Sequence, residues 1–359
     1  MRGPDRLFAA LFALLRSGLA ERPLTETEYP AVAALNAGDW GFLAQLAREQ
    51  SVEGVVYRAL THLPETVQVP GDVVFSLMAR AEGIKLRNRK KDAVSARLMA
   101  HFRADGLSPL IMKGSAVAAF YPVPTLRESG DLDFYFPDGQ LARAQACLQT
   151  AGTAADGSGN TTETAADGSV QTRVDGVEID LHDRYFDLPD AAEKLPAPGT
   201  PEATLLMLSA HILKHAAGPG VGLRPLCDMA MACRSLAGRY DPADLWELFR
   251  RTGILRWNLL LFSFLTEYLG LDEAKVSAAG YWKRVNTSPL LRIILQGGHF
   301  GHYARSRRTA LGKGGLRRKF DTFFRFLRRL PFSLRYAPRA TFSTLHTLLK
   351  GNLTTNSGN

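Results

Sequence analysis

Cysteine is scarce in this chain. Only Cys147, Cys227 and Cys233 occur among 359 residues. They are too few and too scattered for a disulfide framework or a cysteine zinc site, so the spacing points to a reducing compartment and to use as small core residues. Long apolar runs are missing too: none approaches the roughly 18 residues that a membrane helix needs. The apolar stretch from Leu7 to Leu15 follows Arg2 and Arg6, but Asp5 interrupts the basic region and no clean small-x-small cleavage site follows. A secretory signal is therefore set aside and a cytoplasmic protein is expected. No internal repeat is found, which excludes solenoid architectures.

The composition, 46% hydrophobic and 22% charged, is that of a globular protein with a real core. Its length suits two or three associated lobes. The net charge of +9 is concentrated: between Arg305 and Arg339 twelve Lys or Arg stand against the single Asp321. The rest of the chain is slightly acidic, so the basicity describes one segment and not the body.

Residues 1–105 read as a helical lobe, with apolar positions three and four apart at Leu43, Leu46, Ala47 and at Val52, Val55, Val56, Ala59. Asp39 and Ser51 are placed to cap two of its helices, and a long helix is expected from Asp72 to Phe102. Residues 106–190 change character. Pro109–Lys113 reads as a short buried strand, Gly114–Tyr121 as a helix, and Asp131–Phe136 as a strand in which Leu132, Phe134 and Phe136 alternate with Asp131, Asp133 and Tyr135. A helix over 140–150 is followed by strands near 160–166, 169–174 and 177–183, with hairpin signals at Asp167-Gly168 and Asp175-Gly176. In the last strand Val177, Ile179 and Leu181 alternate with Glu178, Asp180 and His182. Residues 191–304 read as a second helical lobe, 305–350 as a basic amphipathic segment and 351–359 as a polar, disordered tail.

Two strands thus repeat one design, with an apolar inner face and a carboxylate-bearing outer face. Nucleotidyl transfer from a nucleoside triphosphate requires this kind of carboxylate cluster, because two magnesium ions about 4 Å apart neutralise the phosphates and align the acceptor hydroxyl. Asp131 and Asp133, two apart on a strand, point the same way with Cα atoms roughly 6.6 Å apart and can share a metal. A third carboxylate, Asp180 or Glu178, would hold the second ion and help deprotonate the acceptor. Gly114-Ser115 opens a helix, where backbone amides and a hydroxyl receive phosphate. Lys113 and Arg127 are candidate phosphate contacts, Arg127 with the stronger case because a guanidinium is bidentate.

Lys113-Gly114-Ser115, Arg127 with Gly130-Asp131-Leu132-Asp133, and Glu178-Ile179-Asp180-Leu181-His182 resemble the uncharacterised bacterial nucleotidyltransferase family, within the polymerase-beta-type nucleotidyltransferase superfamily. Asp39-Trp40, His211, His215 and Leu226-Cys227-Asp228 share in that resemblance, which extends over most of the chain. It implies metal binding by Asp131, Asp133 and Asp180, and prefers Asp180 to Glu178 as the third ligand. It implies an α+β fold: a small mixed sheet of nucleotidyltransferase type, flanked by helical N- and C-terminal lobes. It also implies Mg2+, or Mn2+ in its place, an NTP substrate with ATP the first choice, and a hydroxyl acceptor left unidentified. The 17 positions from Gly114 to Asp131 exceed the wider superfamily's usual spacing while matching the narrower family.

Each of these residues has a plainer reading. Asp131 and Asp133 could be a solvated strand face that discourages edge pairing, and Lys113 a solvated lysine. His182, His211 and His215 raise a metal site, but no third ligand stands at a telling spacing and helix histidines are more often packed, so zinc is set aside. Asp228 either faces the nucleotide cleft or supports Arg224. The basic segment, with Phe320, Phe323, Phe324 and Leu327 at helical spacing, could be a core-packing helix with a solvated basic face, lie on an anionic membrane surface, or track nucleic-acid phosphates over residues 305–339. The rival to an enzyme is a non-catalytic nucleotide- or polyanion-binding protein that keeps the fold.

Overall fold

The computed structural model describes residues 3–151, 163–164, 168–188, 195–218, 220–297, 329–339 and 341. The chain divides into two compact units, Met1–Tyr185 and Phe186–Asn359. Among the described residues no helix is long and apolar enough to cross a membrane.

In the first unit the apolar stretch after Arg6 lies in helix α1 (Gly3–Ala20), with Ala10, Leu11, Ala13, Leu14 and Leu15 fully buried as core. Helices α2 (Tyr29–Ala33), α3 (Ala37–Glu49) and α4 (Glu53–Leu60) follow. The caps differ from expectation. Asn36, not Asp39, caps α3: its side chain accepts from the Asp39 backbone N–H, and the Asp39 carboxylate accepts from the Asn36 N–H in return. This is the reciprocal capping box, with the acid at the third helical position instead of the cap. Ser51 caps nothing; it sits in the left-handed region at φ 55, and Val52 occupies the cap position of α4 without a side-chain bond.

Helix α5 (Gly71–Ala104) runs 34 residues and turns one stripe inward, through Leu77, Ala81, Ile84, Asn88, Lys91, Leu98 and Phe102. Asn88 and Lys91 occupy positions where that period calls for apolar side chains. Strand β1 (Leu110–Met112), helix α6 (Gly114–Ala118), the 3-10 turn Pro124–Leu126, strand β2 (Leu132–Tyr135) and helix α7 (Leu141–Ala151) come next. They are followed by β3 (Glu163–Thr164), β4 (Val170–Val174) and β5 (Val177–His182).

The five strands form one sheet in the order β1-β2-β5-β4-β3. The β2–β5 pair is parallel and the other three pairs are antiparallel. The sheet is therefore mixed, and the fold is the α+β class expected. Asp175 and Gly176 both take positive φ, 50 and 72, which is the type I′ turn their sequence signals. It sets the β4–β5 register at Val174 opposite Val177. Of the other hairpin signal, Gly168 has φ 87 while Asp167 lies outside the described residues.

One face of the sheet is the core. Leu132, Phe134, Phe136, Ile179 and Leu181 are fully buried and pack with Leu98 and Phe102 of α5 and with Ala144 and Leu148 of α7. Phe102 meets Phe134 and Phe136 edge to face, with ring centroids 5.4 and 5.0 Å apart. The strict alternation that buries these residues forces their neighbours onto the other face.

The second unit is helical: α8 (Pro201–Ala217), α9 (Leu223–Leu236), α10 (Pro242–Arg251), α11 (Leu255–Leu269) and α12 (Ser288–Gly297). Thr200 and Asp241 cap α8 and α10 ahead of prolines at their first turns, and Gly270 ends α11 in the left-handed conformation. Trp246, Trp257, Phe249 and Phe262 fill its core. The stripe Phe320, Phe323, Phe324 and Leu327 lies outside the described residues. The end of the basic segment is described, and it is packed: Phe332 meets Trp257 at 6.3 Å, Tyr336 and Ala337 are buried, and Arg329 donates to the Ala216 carbonyl at 2.8 Å.

Candidate active site

The parallel register of β2 and β5 sets Asp133 beside Asp180, with Tyr135 beside His182 two residues on. Paired residues of neighbouring strands point to the same face, so the acidic side chains of both strands gather opposite the core. Oxygens of Asp133 and Asp180 and a ring nitrogen of His182 all lie within 4.8 Å of one another, close enough to hold one metal ion. His182 Nε2 stands 2.8 Å and Lys113 Nζ 3.2 Å from Asp133 Oδ1.

Asp131 stands one residue before β2 begins and is exposed at the rim of this cluster. Its carboxyl shares a hydrogen bond with Glu178. Although the residue keeps contact with water, the protein crowded around its carboxyl, then the like charges of Asp180 and Asp133, push its pKa up to about 6. Glu178 moves the opposite way, held below the usual carboxylate range chiefly by its hydrogen bond from Arg173. Burial raises Asp180 as well, against the hydrogen bond that Gln171 donates to its Oδ2 at 3.0 Å. Carboxyls raised by crowding and like charge are what an oxygen-lined cation site produces without its ion.

Lys113 links β1 to α6 with φ 53 and ψ −127, a conformation that costs a non-glycine residue energy. Gly114 opens α6, and a Cβ there would stand 3.3 Å from the Asp131 carbonyl oxygen and 3.9 Å from the Arg127 guanidinium. The Gly-Ser turn and the acidic strand are thus in close approach, with Arg127 buried beside them. Ser115 lines a cavity of about 210 Å³ together with Asn88, Asp92, Thr125 and Ser129.

Beneath this turn lies a polar network that sequence reasoning missed. Asn88 donates to the carbonyls of Thr125 and Arg127 at 2.9 and 2.8 Å and accepts from Ser129 Oγ at 2.7 Å. Lys91, also buried, donates to Ser129 Oγ at 2.9 Å. The signal is present in the sequence: both residues interrupt the apolar stripe of α5, and a buried polar side chain needs a partner.

The structure brings Asp133 and Asp180 together, sets Asp131 beside Glu178 at the rim, and adds His182, which the sequence raises as a metal ligand and sets aside. The donor set fits a hard cation: two carboxylates at its centre, with His182 beside them and a third carboxylate at the edge. A second trio among the described residues, His101, Asp105 and Cys147, also lies within metal-ligating reach, but its thiol donates to Asp105 and His101 Nε2 lies 3.3 Å from the Cys147 carbonyl.

Residues 36–270 match the family model described as an uncharacterised nucleotidyltransferase. The matched stretch runs from the Asn36 cap of α3 to the Gly270 that ends α11 and includes the whole carboxylate cluster. No curated protein and no solved structure matches the chain.

Proposed function

Because the chain belongs to the uncharacterised nucleotidyltransferase family, we propose that it transfers a nucleoside monophosphate from an NTP to a hydroxyl acceptor, releasing pyrophosphate. The observation that carries this reading is the Asp133–Asp180 pairing across β2 and β5, on the sheet face opposite the core. Asp131, Asp133 and Asp180 are the proposed metal ligands, with Mg2+ as the ion and Mn2+ as its substitute. When bound, such ions neutralise the triphosphate and lower the pKa of the acceptor hydroxyl.

The chain's own groups do the rest. Asp133 and Asp180 gather the charge that draws the ion–triphosphate complex in. The amides at the Gly114-Ser115 turn and the Ser115 hydroxyl receive phosphate oxygens. Lys113 supplies positive charge beside Asp133, and Arg127 braces the turn from its buried side. Asp180 assists in taking the acceptor's proton. His182 holds Asp133 in orientation through its Nε2. The bond that forms joins the acceptor oxygen to the α-phosphorus; the bond that breaks lies between that phosphorus and the bridging oxygen, and the electron pair leaves with pyrophosphate.

The test is thermal stabilisation by each NTP with and without Mg2+, followed by incubation with labelled NTPs, ATP first, and a cell lysate. Expected are a magnesium-dependent shift and label entering an acceptor, both lost in Asp133→Asn. A folded protein that shows neither with any NTP overturns the proposal.

A further inference from the structure

We propose that His211 and His215, backed by Asp187, form a second metal site, suited to zinc or another divalent ion that prefers imidazole nitrogen. It is independent of the nucleotidyl-transfer reading. The two histidines are one turn apart on α8 and share a face. Their Nε2 atoms are 3.2 Å apart, with the rings nearly perpendicular at 78°. Two nitrogens on one tetrahedral zinc, each at roughly 2.05 Å, are separated by about 3.3 Å. The pair is already at chelating distance.

His211 Nδ1 lies 2.9 Å from Asp187 Oδ2. That contact fixes the tautomer: Nδ1–H donates to the carboxylate and the lone pair is left on Nε2, facing His215. A carboxylate behind the far nitrogen is the usual support of a metal-binding histidine. Lys214 Nζ holds the other carboxylate oxygen of Asp187 at 2.8 Å, which fixes its orientation and leaves Oδ2 for His211.

In the hydrogen-bonded form the proton between the rings sits on His215 Nε2. Moving it to Nδ1 of the same neutral ring, without any redox change, frees a lone pair on the second Nε2, and a small turn of the rings brings the two onto one ion. His211 and Asp187 keep about a fifth of their side-chain surface exposed, 22% and 23%, so the pair is not sealed in the core. Water or an anionic ligand would fill the remaining positions. Imidazole donors favour zinc over magnesium, whereas the Asp133–Asp180 cluster offers mainly oxygen, so the two sites sort metals by donor type. Sequence spacing alone sets zinc aside for want of a third ligand; the structure adds the chelating separation and the orienting carboxylate.

The competing account is an ordinary histidine–histidine hydrogen bond. Calorimetric titration of the full chain with ZnCl2 at neutral pH, without nucleotide, separates the two. Zinc is expected to bind at this pair as well as at the Asp133–Asp180 cluster; the share bound at the pair is weakened at least tenfold in His211→Gln and in His215→Gln and persists in Asp133→Asn and in Cys147→Ser. Asp187→Asn keeps both ligands and should weaken zinc by about 10- to 100-fold. Should the glutamine variants fail to fold, electron paramagnetic resonance of the wild type with one equivalent of Cu2+ should show coupling to two imidazole nitrogens. Unchanged zinc binding in both glutamine variants, loss of the histidine-dependent zinc on Asp133→Asn or Cys147→Ser, or a copper signal without imidazole coupling overturns the proposal.

Discussion

His182 Nε2 stands 2.8 Å from Asp133 Oδ1, so the last residue of β5 holds the central carboxylate of β2. Neither strand orders that contact alone. The parallel register brings His182 level with Tyr135, and the imidazole reaches diagonally back to Asp133.

Truncating that contact should loosen metal binding while sparing the fold. In His182→Ala the Mg2+ concentration for half-maximal NTP turnover is expected to rise by about 10- to 100-fold, as for other residues that orient a metal ligand. Metal titration of turnover checks it; an unchanged requirement would mean that Asp133 is held by other groups.

Asp131 predicts a pH effect on the metal-free protein. Its folded pKa of about 6 exceeds the ordinary aspartate value of 3.8, so the folded chain binds more protons than the unfolded chain between those values. The stabilising contribution of the neutral carboxyl is complete below about pH 4 and is lost as pH rises through 6. With a chelator present, Asp131→Asn should remove this decline and leave the protein more stable than wild type at neutral pH. Chemical denaturation of both proteins across the window measures it. A mutant curve parallel to wild type would refute the shift.

Much of this site can be read from local pattern, and the remainder depends on long-range register. Phe134 and Phe136 alternate with Asp133 and Tyr135, so the strand and its two faces are legible within six residues. Asp175-Gly176 announces its turn in two. His182 and Asp133 are 49 positions apart, and only strand pairing reveals that they touch. The α3 cap is ambiguous in sequence because Asn36 and Asp39 are both able caps three apart, and only geometry shows which accepts from which. Asn88 and Lys91 are legible as polar interruptions of a buried stripe, but their partners at Thr125, Arg127 and Ser129 belong to a loop about 40 positions later.

Gly54 ties the N-terminal helices to that loop. A Cβ on it would stand 1.9 Å from the Leu126 carbonyl oxygen, next to Arg127, so α4 packs against the 3-10 turn backbone to backbone. Gly54→Ala is expected to cost about 3 kcal/mol, at the upper end for overpacking, because a carbonyl cannot rotate aside like a side chain. Gly41 is the control: it is exposed within α3, and a Cβ added there would meet nothing within 4 Å, so change to Ala should gain about 0.5–1 kcal/mol. Equal effects at the two positions would contradict the packing.

Glu28 sets acid stability. It is buried and accepts from Arg22 at 2.7 and 2.9 Å, from Arg16 at 2.5 Å and from the Thr25 amide at 2.9 Å. Burial alone would raise its pKa, but these bonds together outweigh burial and bring it down to about 2. The depressed folded value stabilises the protein fully above about pH 4.5 and is lost as pH falls toward 2. The shift corresponds to about 3 kcal/mol at neutral pH. Glu28→Gln should lose stability of that order at neutral pH and little near pH 2, as denaturant melts at both pH values would show.

The basic segment makes the last prediction. Its described end is anchored: Phe332 packs on Trp257, Tyr336 is buried, and the Arg329 and Arg339 guanidinium groups donate to the carbonyls of Ala216 and Arg251. Residues 329–339 therefore follow the core-packing reading, with their charges turned to backbone carbonyls and solvent. Phe332→Ala removes a ring that is only partly buried, so the loss should be about 1–3 kcal/mol, below the 3–5 typical of a fully buried aromatic. Arg335 is exposed and lies over the Tyr336 ring at 5.6 Å, so Arg335→Gln should cost no more than about 1 kcal/mol. Deleting residues 305–359 should lower the melting temperature further than Phe332→Ala, because it removes the ring, the buried Tyr336 and both guanidinium anchors together. A deletion that melts like wild type would show that the segment contributes nothing to the fold, and its basic charge would then have to be explained by a partner.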